Sequence, residues 1–256
     1  MAEVRPLHAL RYDPDRVAFA DVWAPPYDVI DAAGREELLG RSPHNVVAAD
    51  LPQTADGSDP YEHAAEALKS WEEEGLLVRD SEPSIWAYEQ DYDAPGGGRR
   101  TRRGFLARIR VTDYGPGLVR PHERTQPGPK EDRLRLTRAT GHSMSPIFIL
   151  SEGNAWPQIE SATEGEPYGG EVTDADNTTH RVWPIADPAV HEAVAAELAD
   201  SELLIADGHH RYETARTYAE EIGGEGEHRY TLAALVSLDD PGLSVFATHR
   251  LLGDLD

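Results

Sequence analysis

The residues best suited to chemistry stand in one short block, Asp207-Gly208-His209-His210-Arg211, directly after the aliphatic run Leu203-Leu204-Ile205. A run of that kind reads as a buried strand delivering Asp207 to its carboxyl end, and Gly208 supplies a tight turn or a close backbone approach. Two imidazoles and a guanidinium then fall in the first turn of the helix that follows. The amino end of a helix is already partly positive, so cations there are disfavoured unless an anion offsets them. Free N–H groups, a glycine turn and an arginine fork together make a phosphate site. The competing reading is that Asp207 caps the helix while the histidines pack or reach solvent.

A second constellation is Arg120-Pro121-His122-Glu123-Arg124-Thr125, followed by Lys130-Glu131-Asp132-Arg133. It lies in residues 99–138, which hold twelve of the 24 basic residues and only four acids. A positive island in an acidic chain would concentrate an anionic ligand such as a phosphate or carboxylate. The alternative is that these arginines pair with the carboxylates around them. His122, Arg124, Thr125 and Arg133 are candidate substrate contacts. Glu123 is a candidate general base, although neighbouring cations weaken a carboxylate base. Glu123 and Asp132 could instead hold a hard metal ion through oxygen. His-Glu-x-Thr lacks the second histidine of a zincin helix.

A third is Ala24-Pro25-Pro26-Tyr27-Asp28-Val29-Ile30, where two prolines stiffen a loop that presents Tyr27 and Asp28 either to a pocket or as a structural turn. Asn45 shares that ambiguity. Thr248-His249-Arg250 could join His209 at one end of a sheet or form an exposed turn. The chain has no Walker loop, GxGxxG or serine nucleophile elbow.

The elements that must position these groups follow from periodicity. Asp31 is placed to cap a short helix through Leu39, and Tyr61, Ala64, Ala65, Leu68 and Trp71 share a stripe in a helix over 61–74 closed by Gly75. Residues 85–92 and 103–111 alternate as strands, joined through Gly96-Gly97-Gly98. Residues 113–145 read as irregular, and 151–180 as an acidic surface excursion, with a buried strand at 146–150 between them. Asp187-Pro188 opens an alanine-rich helix to about Ala199. A strand at 203–205, a helix at 209–222 and strands at 230–238 and 243–247 complete the pattern. The expected class is α+β: a mixed sheet with helices in one domain over 1–256, with an elaborated N-terminal half.

Composition sets the limits. The 256 residues carry 24 Lys+Arg against 47 Asp+Glu, a net charge of −23, and no cysteine. Disulfides, zinc–thiolate sites and a cysteine nucleophile are excluded. No apolar run reaches the roughly 18 residues of a membrane span, and the amino terminus has no apolar signal segment, so the expected location is the cytoplasm. Nucleic-acid binding is disfavoured by the charge. Lys69 and Lys130 are the only lysines. So acidic a surface suits a cytoplasm of molar salt, as in a salt-loving archaeon, where repulsion between carboxylates is screened; an acidic interaction surface is the alternative.

IADGHHRYETA (205–215), with APPYDVI (24–30), PHERT (121–125), KEDR (130–133) and THRLL (248–252), resembles the domain-of-unknown-function family 1015. The resemblance runs along essentially the whole chain and implies a ParB/sulfiredoxin-like core, in which a strand–turn–helix holds nucleotide phosphates. The DGHHR block is similar to that of archaeal free-serine kinases of the same fold. By that likeness Asp207, Gly208, His209, His210 and Arg211 contact nucleotide phosphates, and Asp207 helps to place Mg²⁺ or the acceptor. Glu123 is then the base or an acceptor-positioning group, and ATP or ADP is the phosphate donor. The implied activity is a nucleotide-dependent kinase acting on a small hydroxyl compound, serine first. A non-catalytic nucleotide-binding regulatory module is the alternative, as is a metal-dependent phosphohydrolase using His209, His210, Asp207 and His122 or His249. DNA partitioning is disfavoured, because no helix-turn-helix segment follows the phosphate motif. Family members commonly continue beyond the THRLL segment, which implies that a C-terminal part able to close the pocket is absent from this chain.

Overall fold

The computed structural model describes residues 3–125 and 127–245. The N-terminal half contains β1 (Val4–Arg5), β2 (Leu10–Tyr12), α1 (Phe19–Val22), α2 (Ala32–Arg41), α3 (Val47–Asp50), α4 (Pro60–Glu73) and β3 (Leu77–Arg79). The hairpin β4 (Ile85–Asp93) and β5 (Arg99–Arg110) follows, then β6 (Val119–Arg120), α5 (Pro127–Thr140), β7 (Ile147–Ser151) and α6 (Trp156–Ile159). The remainder is β8 (Val172–Thr173), β9 (Thr179–Ile185), α7 (Pro188–Leu198), β10 (Leu203–Asp207), α8 (His209–Ile222) and β11 (Tyr230–Ser237).

Local chemistry starts these elements. Carboxylates of Asp31, Asp59 and Asp187 accept from the amides of Gly34, Tyr61 and Ala189, and Pro60 and Pro188 occupy the first turns they cap. In β5, Phe105, Ala107 and Ile109 are buried while Leu106, Arg108 and Arg110 are half-buried on the other face, the period of two that a sheet requires.

Eight strands run in the order β6-β10-β7-β11-β5-β4-β9-β8. The ninth, β1, pairs with β5 at Val4↔Ile109, beyond Trp86↔Leu106, where the pairing with β4 begins. The sheet is mixed: β11 runs parallel to β7 and β10 parallel to β6, while the other pairs are antiparallel. With helices on it, this is the α+β class that the periodicity implied. One face carries the main core, including Ile85, Ile109, Ile147, Ile205, Tyr212 and Leu235. A smaller cluster joins Ala49, Ala64, Leu68, Trp71 and Leu77 to Leu136 of α5. Among the described residues no helix is long and apolar enough to cross a membrane.

Three expectations need correction. Residues 113–145 contain a full helix, α5. Its Gly128 and Pro129 read as loop but fall in a first turn, where no intrahelical N–H bond is lost. Its buried residues, Arg133, Leu134 and Leu136, do not form a simple helical stripe either. The stretch 151–180 contains α6, a 3₁₀ turn at Glu160–Thr163, β8 and the start of β9. Residues 243–245 form no strand, and the remainder of that expected strand, with Thr248-His249-Arg250, lies outside the described residues.

Gly104 in β5 lies opposite Tyr88 and Val236, and a Cβ there would stand 2.3 Å from the Leu235 carbonyl oxygen. That neighbour is backbone and cannot yield cheaply. Gly104→Ala is expected to cost about 1–3 kcal/mol, measured by urea unfolding in molar KCl. An unchanged midpoint would show that the two strands are not packed as described.

Candidate functional site

β10 meets β7 in an antiparallel register that shifts between Ile205 and Asp207, a local irregularity that re-aims the strand end beside Phe148. Gly208 then adopts a left-handed conformation (φ 91°) and caps α8 without any side-chain hydrogen bond. A Cβ at Gly208 would meet the Arg211 guanidinium at 3.0 Å, so glycine is required both for the turn and for the arginine folded over it. Arg211 Nη2 donates to Asp207 Oδ2 at 2.6 Å, and Nη1 donates to the Pro146 carbonyl.

Two cavities meet at this arginine. The larger, ≈ 780 Å³, has Asp207, Arg211, Arg102 and Phe148 in its wall, together with Trp23, Pro25 and Pro26 of the proline loop. The smaller, ≈ 290 Å³, is lined by Tyr27, Arg133, His142 and Tyr218, and the two share Asp50, Met144, Ser145 and Arg211. Asp50 and Arg133 are buried against each other: Arg133 Nη1 donates to Asp50 Oδ1 at 3.0 Å and to its carbonyl at 2.7 Å. Ser145 donates to the other carboxylate oxygen at 2.9 Å, and the Arg133 guanidinium lies 4.2 Å over the Tyr27 ring. Burial pushes the Asp50 carboxyl above its usual range, opposed by Arg133, Ser145 and Arg211.

The proline loop is held by Asn45, which is fully buried. Its amide donates to the Asp21 and Trp23 carbonyls at 2.9 and 2.8 Å, and its side-chain oxygen accepts from the Val47 amide. Asn45 is thus a structural clamp that suspends the loop over the sheet.

His209 takes a different direction from Arg211. It is 2 % exposed, its Nδ1 lies 3.3 Å from Glu123 Oε1, and its Nε2 accepts from the His122 amide at 3.2 Å. The His122 and His209 rings meet edge to face at 4.4 Å, and His122 Nδ1 lies 2.7 Å from the Ile205 carbonyl oxygen. Among the described residues, His122, Glu123 and His209 form the group whose nitrogen and oxygen atoms, within 4.8 Å of one another, could share a metal ion. Both His209 nitrogens are already engaged, so an ion there must displace one of these bonds. Asp207 stands outside that group. Its Oδ2 pairs with Arg211 and the residue is exposed, and a single carboxylate of that kind is what Mg²⁺ takes beside substrate phosphates.

The structure therefore places Asp207 and Arg211 in the wall of the larger cavity and Tyr27, Arg133 and Arg211 in that of the smaller, with Gly208 between Asp207 and the helix but in neither lining, and groups His122, Glu123 and His209 apart from them. His210 is half-buried in the first turn of α8. Arg124 and Asp28 are exposed, and Thr125 lines a third cavity of ≈ 310 Å³ with Lys130 and Glu131. Most of the positive island is spent on ion pairs, such as Arg103–Glu89, Arg120–Glu202 and Arg138–Glu221. Arg102 differs: it donates to Gln90 Oε1 at 2.9 and 2.6 Å and faces the larger cavity.

Sequence reasoning missed Asp50, Ser145, Tyr88, Gln90, Arg102, Asp174 and His180. Gln90 stands in register with His180 on one side and Arg102 on the other, so the three form a row across β9, β4 and β5. The available signal was the alternation Trp86, Tyr88, Gln90, Tyr92, which puts polar-tipped residues on one strand face.

These features define an α+β protein whose mixed sheet carries a large, mostly apolar cavity with Arg102 and Arg211 in its wall, beneath a proline-stiffened loop. The chain belongs to the family described as "Protein of unknown function (DUF1015)", whose profile matches residues 4–256. No curated protein and no solved structure matches it.

Burial, and then the nearby His122 ring, hold the His209 pKa below its ordinary 6.5, against the pull of Glu123 and Asp207. The unfolded chain therefore takes up a proton near pH 6.5 that the folded chain refuses, and stability falls as pH drops through that value. His209→Asn should flatten this part of the dependence of unfolding free energy between about pH 7 and about pH 5. An unchanged slope would place the titration elsewhere.

Proposed function

We propose that the protein is a nucleotide-dependent phosphotransferase that acts on a small hydroxyl compound. The observation that carries this reading is the turn at Gly208: an uncapped helix amino end flanked by Asp207 and Arg211, both of them in the wall of a ≈ 780 Å³ cavity. Amides at such a helix end, with an arginine fork beside them, suit a polyphosphate. Phosphoryl transfer asks mainly for positioning and charge neutralisation. Arg211 would exchange its bonds to Asp207 and Pro146 for phosphate oxygens, and Asp207 would be freed to help hold Mg²⁺. The metal, when bound, neutralises charge on the donor phosphates. The likeness of DGHHR to archaeal free-serine kinases supports serine as the first acceptor to try, with ATP and ADP as donors.

The grouping of His122, Glu123 and His209 favours a second reading, a metal-dependent phosphohydrolase. It ranks lower because both nitrogens of His209 are already engaged, Nε2 by the His122 amide and Nδ1 by Glu123.

The test is phosphate transfer from ATP or ADP to serine and related hydroxyl compounds, with Mg²⁺ in molar KCl, which suits a chain of net charge −23. Arg211→Ala should weaken nucleotide binding about 10- to 100-fold. Asp207→Ala should lower transfer by about 10²-fold or more. Full activity in Asp207→Ala would end the assignment. Binding without product would mark a regulatory module, and phosphate release dependent on a co-purified transition metal would favour the hydrolase.

A further inference from the structure

The far end of the large cavity holds a second set of groups. Tyr88 Oη lies 2.7 Å from His180 Nδ1, and His180 Nε2 lies 3.0 Å from Asp174 Oδ2. Asp174 Oδ1 accepts from the amides of Asp176 and Thr178, each at 2.9 Å. Tyr88, Asp174 and His180 all line the cavity, beside Gln90 and Arg102.

The donors and acceptors along this chain can be assigned. An ionised carboxylate only accepts, so His180 carries its proton on Nε2 and donates to Asp174. Nδ1 is then a lone pair and takes the Tyr88 hydroxyl proton. The Gln90 amide nitrogen, 3.4 Å away, backs the same lone pair, and its oxygen is held by Arg102. The phenol oxygen of Tyr88, which donates to His180, retains acceptor capacity, and the residue lines the cavity. A carboxylate, an oriented imidazole and a hydroxyl in series is the arrangement that activates a hydroxyl by removing its proton.

We propose that Tyr88, His180 and Asp174 form a proton relay that receives the proton of a hydroxyl group bound at this end of the cavity. The ligand O–H proton passes to Tyr88 Oη as the Tyr88 proton passes to His180 Nδ1, leaving a neutral phenol and an imidazolium paired with Asp174. The freed electron pair on the ligand oxygen forms a bond to an electrophile. Under the phosphotransferase reading, on which the identity of that electrophile rests, it is the terminal phosphorus of the nucleotide. Its bond to the bridging oxygen breaks, and the shortened nucleotide leaves with that electron pair. Tyr88 would touch substrate; His180 and Asp174 are positioning residues that act through it. The acceptor would then enter beneath Trp23 and the proline loop, across the same cavity from Arg211.

Nitrogen-15 resonances of the His180 imidazole test the relay, with assignment from His180→Gln. At about pH 8 the wild-type ring should carry its proton on Nε2, and Asp174→Asn should mix the tautomers. Adding L-serine or glycerol should shift the Nδ1 resonance in the wild type and not in Tyr88→Phe. A proton on Nδ1, or a resonance indifferent to both compounds, overturns the proposal. In the transfer assay Tyr88→Phe should lower kcat about 10²-fold with little change in the acceptor KM. An unchanged kcat overturns it equally. Should the wild type move no phosphate at all, the phosphotransferase reading falls, and the response of Nδ1 to the two compounds decides the relay alone.

Discussion

The left-handed turn at Gly208 governs how this site is built. It is the hinge between β10 and α8, and it leaves Asp207 and Arg211 together on one side of the helix end and His209 on another. Arg211 can fold back over the turn only because Gly208 has no Cβ, and it is held there by Asp207 and the Pro146 carbonyl. His209, two residues earlier, is thereby sent into the protein against His122 and Glu123. One short block thus serves both a cavity and a buried imidazole packed edge to face against His122.

The remaining architecture supplies the walls. Cross-strand register brings His180, Gln90 and Arg102 into a row across three strands, and Gly104 is the bare position beside Tyr88 that lets β5 lie close to β11. The N-terminal half forms the roof, with Asn45 fixing Trp23 and the proline loop above the sheet. Cations near the cavity are not left as loose charge. Arg133 is neutralised by Asp50 and Asp132, and Arg211 by Asp207, so an anion entering would exchange existing partners rather than fill a bare positive surface. Arg102 is the exception, having the neutral amide of Gln90 as its partner.

Much of this was legible where the information is local. The caps at Asp31 and Asp187, the alternation through Phe105, Ala107 and Ile109, and the strand–glycine–helix passage at Asp207–His209 all follow from near neighbours in the chain. Helix α5 was not legible, because Gly128 and Pro129 read as loop and Arg133 is buried where a charged residue is expected at the surface. The composition of the cavity wall depends on tertiary register. Nothing in the acidic run around Asp174 separates that carboxylate from its neighbours until β9 brings His180 beside Tyr88. The charge segregation over residues 99–138 was real in sequence, yet most of it resolves into ordinary ion pairs with carboxylates from elsewhere in the chain.

The most direct test of the turn as a polyphosphate grip is a crystal structure with a non-hydrolysable ATP analogue and Mg²⁺. Phosphate oxygens within hydrogen-bond reach of the first amides of α8 and of the Arg211 guanidinium, with the Asp207–Arg211 pair opened, are what this account predicts. A nucleotide bound elsewhere, with Arg211 still closed over Gly208, would contradict it.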